Sequence, residues 1–165
     1  MVVAYSVGKK PFKEHEEELK AAANTFEKVR LEALELADDD ARGFEALAPL
    51  FPLAKNDPKR IAALPEAVRG AIEPPRRIVE LANQFVALCE TLVGRSSKML
   101  RSDLVIAARL GAVATDAAAW NVRVNLPLLA EVETAETANE LATTVESIVN
   151  ESNRIAQVIA ERCAD

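Results

Sequence analysis

From Arg101 to Leu129 the chain carries few charges and puts small or apolar residues on every side of a helical wheel. A helix of that kind is normally buried. The pattern therefore predicts an all-α, single-domain helical bundle over residues 1–165, with a central helix at about 101–129 and the other helices packed around it. The flanking segments are amphipathic. Leu19, Ala22, Phe26, Val29, Ala33, Leu36, Ala37, Phe44 and Leu47 recur at three- and four-residue steps, which marks one buried face of a long helix beginning near Phe12. Ile78, Leu81, Ala82, Phe85, Leu88, Cys89 and Leu92 define a helix from Arg76 to Val93, opened by Pro74-Pro75 and capped by Gly94. A capping box at Thr137–Glu140 precedes a last helix whose inner stripe runs from Leu141 to Cys163. Pro49, Pro52, Pro58 and Pro65 predict loop and short helical pieces between Leu50 and Ile72, and Pro127 predicts an end or a kink.

Composition strengthens the helical reading. Half of the residues are hydrophobic but only 4% are aromatic, and alanine dominates, a balance that suits close-packed helices better than sheets. The net charge of -6 argues against a nucleic-acid surface, which needs clustered Lys and Arg in excess. No window reaches the roughly 18 uninterrupted apolar residues of a membrane span, and no signal peptide is visible, so neither nucleic acid nor membrane is an expected partner. Cys89 and Cys163 lack metal spacing and read as free thiols in a reducing cytoplasm.

The candidate chemistry lies in carboxylates, amides and lysines, because dinucleotide, phosphate-loop and zinc motifs are absent. Continuing the apolar steps 29, 33, 36, 40, 44 and 47 puts Asp40 on the inward face, while Asp39 points outward. An inward carboxylate in mid-helix must be paired, protonated or used. It is either satisfied by a neighbour or a general acid or base. Ser102 is a fair N-cap for the central helix, with Asp103 favoured in its first turn. Asn121 and Asn125 share a face with Asp103, but eighteen residues of helix rise about 27 Å. Asp103 and Asn121 can therefore serve only opposite ends of a long ligand, or a site built across a subunit boundary.

Three landmarks resemble one family, the formiminotransferase-cyclodeaminase C-terminal domain and its relatives, which include methenyltetrahydrofolate cyclohydrolases. They are SVGKKPFKEHEEEL at Ser6–Leu19, LADDDARGFEAL at Leu36–Leu47, and RSDLVIAA at Arg101–Ala108 followed by NVRVNL at Asn121–Leu126. The resemblance implies an all-helical homodimer with a pocket for a tetrahydrofolate derivative, its polyglutamylated form included, and no cofactor or metal beyond that substrate. It implies either release of ammonia from 5-formimino-tetrahydrofolate or hydrolysis of the 5,10-methenyl form. Asp40 falls on the family's catalytic aspartate, Lys9 and Lys10 on candidates for the anionic glutamate tail, and Asp103, Asn121 and Asn125 on pocket positions.

The chain also departs from that pattern. The family opens with a further helix introduced by a glycine-rich turn, and Met1–Val7 looks like the tail of it. Either the polypeptide extends upstream of Met1 or part of the pocket is lost. Ser97 stands where asparagine is usual, and Pro65 and Glu73-Pro74-Pro75 alter the middle segment. These departures keep a second reading open, a helical interaction protein or inactive relative in which Asp40 is a structural polar group.

Overall fold

A computed structural model describes residues 1–164. Five α-helices follow one another: α1 (Val2–Ser6), α2 (Glu16–Leu47), α3 (Pro58–Thr91), α4 (Arg101–Val132) and α5 (Ala135–Ala164). Short 3-10 turns occupy Lys10–His15, Ala48–Leu50 and Lys98–Leu100, and no strand occurs among the described residues. The all-α expectation holds, and among these residues no helix is long and apolar enough to cross a membrane.

Several expected boundaries move. α3 is one continuous helix rather than a broken segment followed by a new start at Pro74-Pro75, with Pro65, Pro74 and Pro75 inside it. Each internal proline removes an N–H and releases the carbonyl four residues back. Here packing outweighs that cost, because Pro74, Pro75, Val68, Ile72 and Val79 are all buried on both sides of the interruption. The start of α3 is fixed by Asp57, whose Oδ1 accepts from the Lys59 N–H at 2.8 Å. α2 runs unbroken through Asp38–Asp40. α4 continues past Pro127 to Val132, and it starts at Arg101 without a side-chain cap, so Ser102 does not play the expected role. Thr134, three residues before the expected capping box, caps α5 by accepting from the Thr137 N–H at 3.0 Å.

The expected burial of the helix at 101–129 is only half met. α3 is the helix that packs against α2, α4 and α5 together, whereas α4 packs mainly between α3 and α5. Leu104, Ala108, Ala112, Ala119 and Val122 of α4 are buried, yet Ile106, Leu110, Val113, Trp120 and Val124 are between 57% and 65% exposed. The low charge of this helix therefore reflects two apolar faces, of which the chain itself covers one.

The core divides along the bundle. One cluster gathers Leu47, Val68, Val79, Val122, Leu129, Val145 and Val149. The other gathers Val3, Leu19, Val86, Cys89, Leu104, Ala108, Ile155 and Ile159. Between the two, a buried hydroxyl pair joins α4 to α5: Thr115 Oγ1 lies 3.1 Å from Ser152 Oγ and donates to the Gly111 carbonyl at 3.0 Å. Cys89 and Cys163 are free thiols, and burial pushes the Cys89 thiol up to about 12.

Candidate active site

Asp40 owes its position to its neighbours on α2. Leu47 anchors the end of that helix in the first core cluster. One turn earlier Gly43 seats directly on α3, where a Cβ would lie 2.4 Å from the Gly70 carbonyl oxygen. That carbonyl is one of those released by the buried prolines, since Pro74 has no N–H to offer it. With Gly43 pressed on α3, Asp40 is turned toward α4 and is half-buried.

There it lines a cavity of about 400 Å³. Phe44 and Leu47 come from α2, Phe51 from the turn that follows, Ala71 from α3, and Asn121, Val124, Asn125 and Leu128 from α4. Among the described residues Asp40 forms no hydrogen bond and no ion pair, unlike Asp39, which is held by Arg42. The Asn125 amide donates to the Asn121 carbonyl at 2.9 Å, which fixes its orientation and leaves its own oxygen as an acceptor. Phe51 is positioned by Arg60, a buried side chain whose guanidinium donates to the Leu50 carbonyl and to Glu131, both at 3.2 Å. That contact ties the turn carrying Phe51 to the end of α4.

The candidate residues therefore separate into two groups. Asp40, Asn121 and Asn125 share one cavity. Lys9 and Lys10 are exposed at the Gly8 turn before α2, and from Glu16 to Asp40 the helix rises about 36 Å. Asp103 belongs to that far end as well: its neighbour Leu104 lies in the second core cluster, and the Ser97 N–H donates to Ser6 Oγ at 3.1 Å, joining the two segments. Within one chain, Lys9, Lys10 and Asp103 do not reach the cavity of Asp40.

Two of the cavity's walls escaped the sequence reading. Phe44 was expected on the buried stripe but is 62% exposed, and Phe51 is 51% exposed. The reason is that Gly43, not Phe44, makes the close contact with α3, which rotates the stripe by one position. A signal existed in the scarcity of aromatics, since only seven of 165 residues are Phe, Trp or Tyr and two of the seven border this cavity.

The bundle thus sets an unpaired carboxylate and two amides in one cavity bordered by two phenylalanines. Comparison with known proteins gives the family. The profile described as formiminotransferase-cyclodeaminase matches residues 1–147, and the chain belongs to that family. It is 31% identical over 136 residues to the formimidoyltransferase-cyclodeaminase of Sus scrofa, a match that spans 76% of this chain and 24% of that protein. It is 27% identical over 129 residues to a methenyltetrahydrofolate cyclohydrolase of Methylorubrum extorquens, covering 76% of this chain and 62% of the relative. The chain thus spans about a quarter of the first relative's length and less than two thirds of the second's. In three dimensions it superposes on the crystal structure of a formiminotetrahydrofolate cyclodeaminase from Thermotoga maritima with a TM-score of 0.80 and 22% identity, over 98% of this chain and 78% of that one. At that identity the likeness concerns the fold.

Proposed function

We propose that this chain is a folate-dependent one-carbon enzyme, acting as a cyclodeaminase on 5-formimino-tetrahydrofolate or as a cyclohydrolase on 5,10-methenyl-tetrahydrofolate, with Asp40 as its acid–base residue. The observation that carries the reading is the meeting of an unpaired Asp40 with Asn121 and Asn125 in one cavity of about 400 Å³. In the deamination, N10 attacks the formimino carbon and loses its proton to Asp40. The bond from that carbon to the terminal nitrogen then breaks, and Asp40 returns the proton to the departing ammonia. In the hydrolysis, water takes the place of N10 as nucleophile and a ring nitrogen takes the place of ammonia as leaving group. Either cycle regenerates the carboxylate.

The same reading takes the protein as a homodimer. Ile106, Leu110, Val113, Ala117, Trp120 and Val124 follow one another at steps of four and three along the exposed side of α4, the spacing of a helix–helix seam. A two-fold axis makes such a patch self-complementary. An axis crossing α4 midway, near Thr115, runs the two helices antiparallel and sets the partner's Asp103 level with Pro127 of the first chain. The end that carries Lys9, Lys10 and Asp103 is then brought toward the opposite chain's Asp40 cavity, where the lysines can take the anionic tail of a long ligand.

The decisive measurement is spectroscopic turnover of 5,10-methenyl-tetrahydrofolate by the wild type and by Asp40→Asn. The expected loss is about 10²–10⁴-fold in rate, the usual worth of a positioned acid–base group. The fold should be unaffected, because Asp40 has no partner to lose. Equal rates would remove Asp40 from the chemistry. The exposed stripe on α4 favours one other reading, a helical interaction protein without activity, which predicts no binding when a folate derivative is titrated into the purified chain.

A further inference from the structure

The cavity around Asp40 has a charge character that acid–base chemistry alone does not require. Asp40 is the one charged residue among its lining residues, and no lysine or arginine borders it. Asp40 has no hydrogen-bond or ion-pair partner among the described residues, although neighbouring carboxylates such as Asp39, Glu73 and Glu80 are paired with arginines. The amide of Asn125 spends a donor on the Asn121 carbonyl, so the polar groups left to a ligand are weighted toward acceptors. Phe44 and Phe51 stand at the same cavity, 62% and 51% exposed, and aromatic faces attract cations through their quadrupoles. An anion would meet a bare carboxylate here. A neutral amide would leave the carboxylate uncompensated.

We propose that this cavity is a binding site for a flat, delocalised organic cation of the amidinium class, with Asp40 as counter-ion and Phe44 and Phe51 as its aromatic walls. A planar N–C–N unit presents two N–H or C–H edges to the carboxylate and amide oxygens while its faces remain free for the phenyl rings. The inference deepens the folate reading, on which its link to a natural ligand rests. The reacting centre of both ligands named above is an N–C–N unit, cationic in the methenyl form and in the protonated formimino form. Asp40 then selects the charged form of the ligand as well as moving a proton, and the glutamate tail, being anionic, is excluded from this cavity and must leave it toward the lysine-bearing end of a partner chain.

Benzamidinium and benzamide have the same shape and differ in charge, so they separate these ideas without a folate. Calorimetric titration of each into the full chain should give benzamidinium about tenfold tighter binding, the combined worth of a partly exposed ion pair and cation–π contact. The preference should fall severalfold in Asp40→Asn, leaving only the aromatic contribution. In Phe51→Ala, which leaves the carboxylate in place, benzamidinium affinity should drop severalfold while some preference remains. Equal binding of the two probes by the wild type, or a preference that Asp40→Asn leaves undiminished in a chain with an unaltered circular dichroism melt, would overturn the proposal. Turnover of 5,10-methenyl-tetrahydrofolate without any amidinium preference would sink the cation site and leave the folate reading standing. An Asp40-dependent preference in a chain that neither binds nor turns over folates would support the cation site and remove its proposed ligand.

Discussion

The Thr115–Ser152 pair shows how a single polar contact can set the register of two long helices. Both hydroxyls are fully buried; Thr115 also donates to the Gly111 carbonyl, while the partner of Ser152 is Thr115. Thr115→Val removes one hydroxyl and strands the other, so the expected cost is about 1–3 kcal/mol, the desolvation penalty of an unsatisfied group. Adding Ser152→Ala removes the stranded group and should recover much of that loss. Urea denaturation of the two variants checks this, and a double variant no more stable than Thr115→Val would show that the pair contributes through packing instead. The candidate site was partly legible at this scale: Asp40 emerges from helical spacing, and the family resemblance adds Asn121 and Asn125. Their shared cavity was not legible, because it depends on the angle between α2 and α4, and no local pattern encodes that angle.

At the level of elements, α2 and α3 approach each other closely at Gly43 and Gly70. A Cβ at residue 43 would meet backbone atoms of Gly70 and Ala71 at 2.4 to 3.0 Å, and backbone cannot swing aside as a side chain can. Gly43→Ala should therefore push the helices apart and cost about 1–3 kcal/mol. Turnover should fall with it, since Asp40 and Phe44 flank the contact. A thermal melt alongside the methenyl assay tests both, and a variant of wild-type stability would show that the helices are free to separate. The same region explains why α3 misled the sequence reading. Its three internal prolines are local stop signals, but burial of the surrounding apolar residues outweighs the lost hydrogen bonds. The cap of α5 slipped by three residues for a simpler reason. Thr134 and Thr137 are equally good caps in sequence, and only the observed bond from the Thr137 N–H to Thr134 distinguishes them.

For the whole molecule, the question is what covers the outer face of α4. If it is a second copy, purified protein should scatter light at twice the 17.9 kDa of the chain, and Val113→Glu should halve that mass. Val113 is 64% exposed in the single chain, so the variant monomer should keep its helical spectrum. In the proposed dimer Lys9 and Lys10 reach an Asp40 cavity only across the seam, so turnover should fall with dissociation. A wild type that runs as a monomer, or a Val113→Glu protein that stays dimeric, would move the interface elsewhere.

By itself the sequence determined the secondary structure class and the identity of the faces. Apolar residues at three- and four-residue steps can bury a stripe only as helices, and alanine-rich, aromatic-poor composition leaves little for a sheet. It also marked the helix from 101 onward as low in charge, with apolar residues on both sides. What it could not state is which body covers each side, and the tertiary structure decides half of that: α3 and α5 take the inner face, and the outer face stays open on the chain. The tertiary structure alone also decided that Asp40 meets Asn121 and Asn125 while Lys9 and Lys10 lie at the other end, the separation of Asp103 from Asn121 being already readable from helix rise. The physical reason is that periodicity fixes a residue's direction around its own helix axis, whereas a site requires the positions and angles of several axes, which are set by close contacts such as Gly43 on Gly70.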